Sequence, residues 1–233
     1  MSDNRQTLST RRFFDRQAAS WSSEYRSGGH MADRAARFRA AAERYFATPG
    51  ILLDFGCGSG EIAATFAEAG WRVTAGDLSP AMIETARQQW PGRAVEWITL
   101  APGAALPFAE GGFDLVICSS VLEYVGAPAR QLAEFARVLR PGGWCCVTVP
   151  DMRHSARQAE APKQRIALNP ALFMLARLTP WRSTYEYLRL SINRFTLAEW
   201  ASLFRAAALE PVVPERCEHP LALITAQRRS AAR

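Results

Sequence analysis

The chain has one lysine, three histidines and no long apolar run in 233 residues. Its formal net charge of +6 comes from arginines that are scattered between Arg5 and Arg233, with Lys163 as the only lysine. No segment approaches the ~20 apolar residues that a membrane span needs, and the first residues lack the apolar core of a secretory signal. Because no dense basic run with interleaved aromatics is present, a nucleic-acid partner is not expected.

The five cysteines have none of the spacings that are typical of metal sites or disulfide frameworks. Cys145 and Cys146 are adjacent in an apolar run, so in a strand they would point to opposite faces. Buried free thiols are typical of a reducing compartment, and we therefore expect a cytoplasmic protein. Acidic residues do not cluster, and Asp151 alone cannot hold a catalytic metal, so no metal site is expected.

The most informative segment is residues 51–60, which read ILLDFGCGSG. Residues 51–55 predict a buried strand and residues 61–69 a helix, so the three alternating glycines between them predict the tight turn of a nucleotide-binding α/β unit. Glu61 stands where a dinucleotide fingerprint needs a small residue, and its charge would repel a pyrophosphate. A phosphate-free nucleoside that carries a positive sulfonium fits this turn better.

Three further blocks follow in order. Residues 71–76 predict a second strand that ends at Asp77, ~20 residues after the turn, where an acid can reach ribose hydroxyls. Leu106-Pro-Phe108 and a Gly-Gly turn precede the apolar strand 113–120, and the segment 139–143, LRPGG, leads into the strand 144–149. Together with the glycine turn, these blocks make a pattern of alternating strands and helices, which predicts a parallel sheet with ligands at the carboxyl ends of its strands.

These four blocks resemble the class I S-adenosylmethionine-dependent methyltransferases of the small-molecule type, whose motifs read LPF, FD and LRPGG. The resemblance covers about residues 50–150. It implies an α/β, Rossmann-like three-layer sandwich with a seven-stranded, mostly parallel sheet, its last strand antiparallel, with N-terminal helices and a helical lid. It also implies S-adenosyl-L-methionine as the cofactor, with S-adenosyl-L-homocysteine as the product.

One methyltransferase domain is expected over the whole chain. Its parts are predicted to be a helical cap at 1–48, a cofactor-binding core at 49–150, a substrate lid at 151–195 and a helix with a strand pair at 196–233. The core strands are expected near 51–55, 72–76, 94–98, 113–118 and 143–149, and the final pair near 211–217 and 221–227. Thr196 and Glu199 form a capping-box pattern that predicts the start of the last helix.

By resemblance, Asp54 would orient the turn near the ligand's amino group, and Asp77 would bind the ribose. Leu78 would flank the adenine, and Ser119, next to Ser120, would lie under the methionine moiety. The remaining predicted cofactor contacts are Gly56, Cys57, Gly58, Gly60, Arg34 and Arg37. Many related proteins carry an acid before LPF that binds the adenine amino group, but residues 99–108 contain none. We therefore expect backbone groups and apolar packing to hold the adenine.

Methyl transfer by in-line displacement needs alignment and exclusion of water rather than a side-chain nucleophile. If the acceptor is a hydroxyl, a general base helps. The candidates are His154, Tyr124 and Glu123, which follow predicted strands, and His30 in the leader. A helix-start acid and a packing phenol are equally compatible interpretations of Glu123 and Tyr124.

Aromatic residues of the leader (Phe14, Trp21 and Tyr25) are candidates for a substrate pocket, although ordinary core packing gives the same pattern. The sequence favours methyl transfer to a small organic acceptor, with oxygen slightly preferred. One alternative, prompted by the positive charge, is methylation of RNA or a ribosomal protein. A second, prompted by the missing adenine acid, is a cofactor-binding protein without catalysis.

Overall fold

The computed structural model describes residues 2–26, 32–103 and 105–230. In this part of the chain, seven strands form one sheet in the order β3-β2-β1-β4-β5-β7-β6. The strands are β1 (Ile51–Phe55), β2 (Arg72–Asp77), β3 (Val95–Thr99), β4 (Phe113–Ser119), β5 (Leu139–Pro150), β6 (Leu209–Val212) and β7 (Leu221–Arg228). Strands β1 to β5 pair in parallel, whereas β7 is antiparallel to both β5 and β6. The predicted sheet is confirmed.

Alternate residues of each strand point to opposite faces of the sheet. Because the strands carry apolar residues on both faces, helices cover both of them. Leu53 and Val116 belong to one core cluster with Trp200, and Leu52 and Ile117 belong to the other. Among the described residues the helices are α1 (Ser2–Arg26), α2 (Ala32–Glu43), α3 (Glu61–Glu68), α4 (Pro80–Gln89), α5 (Pro128–Val138), α6 (Ser155–Gln158), α7 (Ala161–Leu168), α8 (Pro170–Ala176), α9 (Arg182–Leu190) and α10 (Leu197–Ala206), with a 3-10 helix at Leu122–Tyr124.

The local signals for helix starts agree with the structure. Thr196 and Glu199 form the reciprocal capping box at α10. Ser79 Oγ accepts a hydrogen bond from Met82 N at the start of α4, and Pro80 occupies its first turn. Two strand limits differ from the prediction by more than two residues. Strand β5 begins four residues earlier, at Leu139, which pairs with Phe113 across an irregularity, and β6 ends at Val212, two residues before Pro214.

Helix α1 crosses the carboxyl edge of the sheet and joins the core to the lid. Gln6 Nε2 donates to the carbonyl oxygens of Tyr124 and Leu190 at 3.1 and 2.9 Å. Ser79 Oγ donates to Asp15 Oδ1 at 2.5 Å. The predicted helical leader therefore covers the place where the strands end. The predicted Gly28-Gly29 break, His30 and the side chain of Tyr25 lie outside the described residues.

The cysteines of the described chain are all free, and Cys57, Cys118, Cys145 and Cys146 are buried. No helix in the described ranges is both long and apolar enough to cross a membrane.

Candidate active site

A cavity of about 1020 Å³ lies at the carboxyl edge of the sheet. The glycine turn, the end of β2 and the end of β4 form its floor, and α1 and α9 form much of its remaining wall. Open α/β sheets bind ligands at this edge. The volume reaches the upper end of the range of ordinary small-molecule sites, so the cavity has room for a nucleoside and a second small molecule.

Asp54 is a buried acid without a partner in this wall. Asp54 is only 1% exposed. Neither of its carboxylate oxygens has a hydrogen-bond partner among the described residues. Burial, followed by the charges of Asp77 and Glu61, raises the pKa of Asp54 to about 8. A buried carboxylate of this kind is costly unless a cationic ligand pairs with it.

Asp77 connects the end of β2 to the glycine turn. Gly58 N donates to Asp77 Oδ2 at 3.0 Å, and Ser79 N donates to Oδ1 at 2.8 Å. Burial raises the pKa of Asp77 even though these hydrogen bonds act in the opposite direction. Each carboxylate oxygen accepts more than one hydrogen bond, so Asp77 can also accept from hydroxyls of a ligand in the cavity.

The three glycines of the turn have different roles. Gly58 has φ +55° and lines the cavity, where a Cβ would lie 3.2 Å from Trp21 Nε1. A Cβ on Gly56, which also lines the cavity, would collide with Val121. Gly60 is not part of the cavity wall, and a Cβ there would collide with the ring of Trp97. The expectation that Gly60 cradles the ligand is therefore corrected, because this glycine permits close packing at the start of α3.

Unsatisfied hydroxyls follow β4 at the same edge. Ser119 Oγ and Ser120 Oγ are buried and have no partner among the described residues, and both serines line the cavity. Ser120 also has φ +57°, a left-handed conformation that is uncommon outside glycine and is a form of backbone strain found at functional sites. Thr10 Oγ1 and Gln131 Nε2 are two further buried orphan groups in the wall. These hydroxyl and amide groups are therefore available to hydrogen-bond polar groups of a molecule that enters the cavity.

The two arginines that were predicted to bind the cofactor lie in different places. Arg34 lines the cavity. Arg37 does not, because its Nη2 donates to the carbonyl oxygen of Leu221 at 3.0 Å. Burial and the neighbouring Arg34 lower the pKa of Arg37. Arg37 thus holds the start of β7 in place, and its predicted contact with the cofactor is corrected.

One end of the cavity is lined mainly by apolar residues. Leu78 lies in the wall together with Thr99, Leu100 and Ala101, and Cys57 lines the neighbouring turn. No acidic side chain follows β3 within residues 99–103. Backbone groups and apolar atoms are what this end offers to a base.

A buried polar network lies at the opposite end. Glu123 is 1% exposed and accepts hydrogen bonds from Ser191 Oγ at 2.6 Å and Tyr187 Oη at 3.4 Å. Arg157 Nη1 donates to Tyr187 Oη at 2.6 Å and lies 3.9 Å from the Glu123 carboxylate. Burial, followed by the charge of Glu123, raises the pKa of Tyr187 to about 12 and raises the pKa of Tyr124 well above its ordinary value. Both phenols are therefore protonated at neutral pH.

Aromatic rings surround this network. Phe14 makes edge-to-face contacts with Trp21 and Tyr124, with ring centroids 5.5 and 5.4 Å apart. The rings of Tyr124 and Tyr187 are 6.0 Å apart. All four line the cavity, so the pocket interpretation of Phe14 and Trp21 is preferred to simple core packing. The cavity therefore has an aromatic, phenol-rich end, and Trp21 connects it to the glycine turn.

Comparisons with known proteins agree with this geometry. Residues 53–147 match a family model described as a methyltransferase domain. A ubiquinone/menaquinone biosynthesis C-methyltransferase of Desulfotalea psychrophila is 33% identical over 167 residues, which cover 70% of this chain and 67% of that protein. The chain belongs to the S-adenosylmethionine-dependent methyltransferases.

Other proteins that are similar to this methyltransferase are named for transfer to different kinds of atom. A ubiquinone biosynthesis O-methyltransferase of Thiobacillus denitrificans is 32% identical over 68% of this chain and 64% of its own length. A Burkholderia thailandensis 1,6-didemethyltoxoflavin-N1-methyltransferase, solved with S-adenosylhomocysteine, has a TM-score of 0.55 at 22% identity, covering 91% of this chain and 87% of its own. The chain spans about two thirds of the length of the two curated relatives.

The cavity residues of this methyltransferase fit S-adenosylmethionine. The orphan carboxylate of Asp54 would pair with the ammonium group of the methionine moiety, and Ser119 Oγ lacks a partner nearby. Asp77 has acceptor capacity for ribose hydroxyls, and the missing side chain at Gly58 leaves room for the ligand against the turn. The agreement with S-adenosylmethionine thus depends on polar atoms that have no hydrogen-bond partner and on the space beside Gly58.

His154 is not brought into this site. Its Nδ1 accepts a hydrogen bond from Ala156 N at 3.2 Å as the N-cap of α6, and the residue is absent from the cavity wall. The expectation that His154 acts on the substrate is corrected for this reason. Glu123 and Tyr124, by contrast, both line the cavity.

Sequence reasoning missed the lid's contribution. Arg157 and Tyr187 reach Glu123 from α6 and α9, across 34 and 64 residues of chain. An arginine in one short helix and a tyrosine in another helix leave no local sequence pattern that predicts their contact. The contact of Asp15 with Ser79 is also not predictable from the sequence, because Asp15 is one of many polar residues in α1.

Proposed function

We propose that this methyltransferase acts on a small, partly apolar organic acceptor and methylates it on oxygen. The observation that carries the proposal is the aromatic end of the cavity, where Phe14, Tyr124 and Tyr187 line the wall together with the buried acid Glu123. Flat apolar surfaces bind a ring or chain, and a small number of polar groups then orient it. Two relatives named for ubiquinone biosynthesis, one a C- and one an O-methyltransferase, support an acceptor of this general kind.

The chain's residues would align the reactants and exclude water. When bound, S-adenosylmethionine supplies an electrophilic methyl group on a positively charged sulfur. Asp54 and Asp77 would hold its two ends, while α1, through Gln6 and Asp15, keeps the leader over the cavity. Alignment and a dry site supply much of the rate enhancement in such displacements.

Tyr187 and Glu123 are placed to accept the proton that an acceptor hydroxyl loses. As the acceptor's proton moves to Tyr187 Oη, the phenol's own proton can move along the 3.4 Å contact to Glu123 Oε2. Tyr187 stays neutral in this relay, and Arg157 Nη1, which donates to the same phenolic oxygen at 2.6 Å, would hold the phenol in position for it. Tyr124, packed against both rings, would position the acceptor.

The acceptor class is tested by incubating the enzyme with methyl-labelled cofactor and fractionated cell extract. Label in small molecules supports the proposal. Label in RNA or in ribosomal protein contradicts it and favours the alternative that the positive charge prompts. Cofactor binding without transfer to any fraction contradicts it in favour of a non-catalytic binding protein.

The proton path is tested with Tyr187→Phe. We expect kcat to fall about tenfold or more with little change in the Kd for S-adenosylmethionine. Tyr45→Phe is the matched control, because Tyr45 Oη is hydrogen-bonded to Thr225 Oγ1 at 2.9 Å and Tyr45 is absent from the cavity wall. Equal turnover of the two variants would remove Tyr187 from the mechanism.

A further inference from the structure

The lid carries a concentrated apolar surface. Six large apolar side chains that are 45–85% exposed lie between residues 168 and 181. We call them the lid apolar surface; they are Leu168, Leu172, Met174, Leu175, Leu178 and Trp181. Elsewhere in the described chain, the only exposed large apolar residues are Leu8, Ile192 and Val212. A contiguous segment of exposed apolar residues usually marks an interaction site, whereas single exposed ones need no explanation.

Helix α8 is the centre of this surface. Its sequence, PALFMLA, is apolar at every position, yet only Ala176 is buried and Phe173 is half-buried. A helix that is apolar all round is normally buried. This helix is anchored, because Asn169 Oδ1 accepts hydrogen bonds from Ala171 N and Leu172 N, and the guanidinium of Arg189 lies 4.4 Å from the centre of the Phe173 ring. The apolar side chains are thus presented outward by a capped and packed helix.

The charged residues within the segment that carries this surface have one sign. Residues 161–184 contain Lys163, Arg165, Arg177 and Arg182 and no acidic residue. All four basic residues are exposed. Arg182 pairs with Glu186, which leaves Lys163, Arg165 and Arg177 without an acidic partner in the described chain. An apolar surface with a basic border is complementary to a layer whose headgroups are anionic and whose interior is apolar.

We propose that the lid apolar surface docks on the surface of an anionic lipid bilayer. Leu175, Leu178 and Trp181 would enter the boundary between headgroups and acyl chains, and Arg165 and Arg177 would lie among lipid phosphates. A protein partner would need acidic groups that match this border, and a second copy of the chain would place basic borders against each other. Lipid is the partner that the apolar and basic residues match together.

The position of this surface links docking to the cavity. Helix α9 packs against α8 and contributes Ser183, Thr184 and Tyr187 to the cavity wall. The lid therefore has one side on the cavity and another on the proposed bilayer. A partly apolar acceptor dissolved in the bilayer would have a short route to the aromatic end. This last step rests on the proposed function, whereas the docking itself does not.

Docking is measured by co-sedimentation of the full chain, without cofactor or acceptor, with phosphatidylcholine vesicles that contain or lack phosphatidylglycerol. We expect the protein to bind anionic vesicles about tenfold more tightly than neutral ones, with affinity falling as salt rises. Leu178→Glu should weaken binding about tenfold, while Val212→Glu, an equal charge change at a 57% exposed residue of β6, should not. Circular dichroism and melting establish that both variants fold.

Fluorescence gives an independent readout. Of the seven tryptophans, Trp181 is the one classed as exposed. We expect a blue shift of emission with anionic vesicles that is absent in Trp181→Phe. The proposal is overturned by no vesicle binding, by equal loss in Leu178→Glu and Val212→Glu, or by self-association that Leu178→Glu abolishes while lipid binding is absent. Because no methyl transfer is measured, failure here leaves the proposed function standing, and failure of transfer leaves the docking result standing.

Discussion

The main-chain N–H of Gly58 donates a 3.0 Å hydrogen bond to Asp77 Oδ2, and this contact joins two segments that are 19 residues apart in the chain. It ties the turn after β1 to the end of β2, so the shape of the turn and the position of the acid depend on each other. The acid thus positions the glycine turn while it lines the cavity.

From this contact we expect Asp77→Ala to raise the Kd for S-adenosylmethionine about 10- to 100-fold, since a hydrogen bond to a charged group is worth roughly 1.5–3 kcal/mol. Isothermal titration gives the Kd. Asp114→Ala is the matched control, because Asp114 Oδ2 also accepts a strand N–H, from Ile51 at 2.7 Å, but at the opposite edge of the sheet. Equal affinities of the Asp77 variant and the unaltered protein would contradict the ribose role.

Asp54 makes the stability of the ligand-free protein depend on pH. Its pKa is about 8 in the folded protein and 3.8 ordinarily, so between these values the unfolded chain has lost a proton that the folded chain retains. The free energy of unfolding should therefore fall as pH rises from about 4 to about 8. Asp54→Asn should reduce this slope and raise Tm near pH 8 by several degrees. Asp77, whose pKa is also raised, leaves a residual slope of the same sign. Urea unfolding at a series of pH values measures how the free energy of unfolding depends on pH. The same pH dependence in Asp54→Asn and in the unaltered protein would refute the raised pKa of Asp54.

The same carboxyl group should release a proton when the cofactor binds. A cationic ligand beside Asp54 favours the ionised form, so the pKa falls on binding and affinity rises with pH up to about 8. Calorimetry at about pH 6.5 in buffers of different ionisation enthalpy should detect net proton release. In Asp54→Asn the release should decrease, with any remainder coming from Asp77, and the affinity should fall. An enthalpy that is independent of the buffer in the unaltered protein is the contrary outcome.

Much of the fold was predictable because the decisive signals are local. The β1 strand, the glycine turn and the acid at Asp77 lie within 27 consecutive residues, and the capping box at Thr196 is complete within four. The registers of the parallel strands follow from burial of one apolar residue set on each face. The prediction for Arg37 was wrong because Arg34 and Arg37 are only one helical turn apart, yet Arg34 lines the cavity and Arg37 contacts β7. The sequence does not show which of the two positions faces the cavity. The Glu123 network was not predictable, since its members come from distant lid helices with no shared periodicity.

His154→Ala should leave kcat within about twofold of the unaltered enzyme, because the imidazole caps α6 outside the cavity. Loss of the cap should cost about 0.5–1 kcal/mol of unfolding free energy. Steady-state kinetics and urea unfolding separate the two effects. Asn is the matched substitution at this position, since its side chain can also accept the hydrogen bond from Ala156 N and should restore stability. A tenfold loss of kcat in both variants would return His154 to the mechanism.

The pairing of Glu123 with Arg157 is best examined by a double-mutant cycle. The two side chains are 1% and 7% exposed, so removing one leaves a buried charge, which costs about 3–5 kcal/mol. Glu123→Leu and Arg157→Met should each destabilise by this amount, and the double variant by clearly less than their sum. The surface pair Arg205 and Glu210, 52% exposed on both sides, is the control and should show a coupling of at most ~1 kcal/mol. Additive losses at Glu123 and Arg157 would mean that the charges do not sense each other. The phenol of Tyr187 would then lack the polarised environment on which the proposed proton transfer depends.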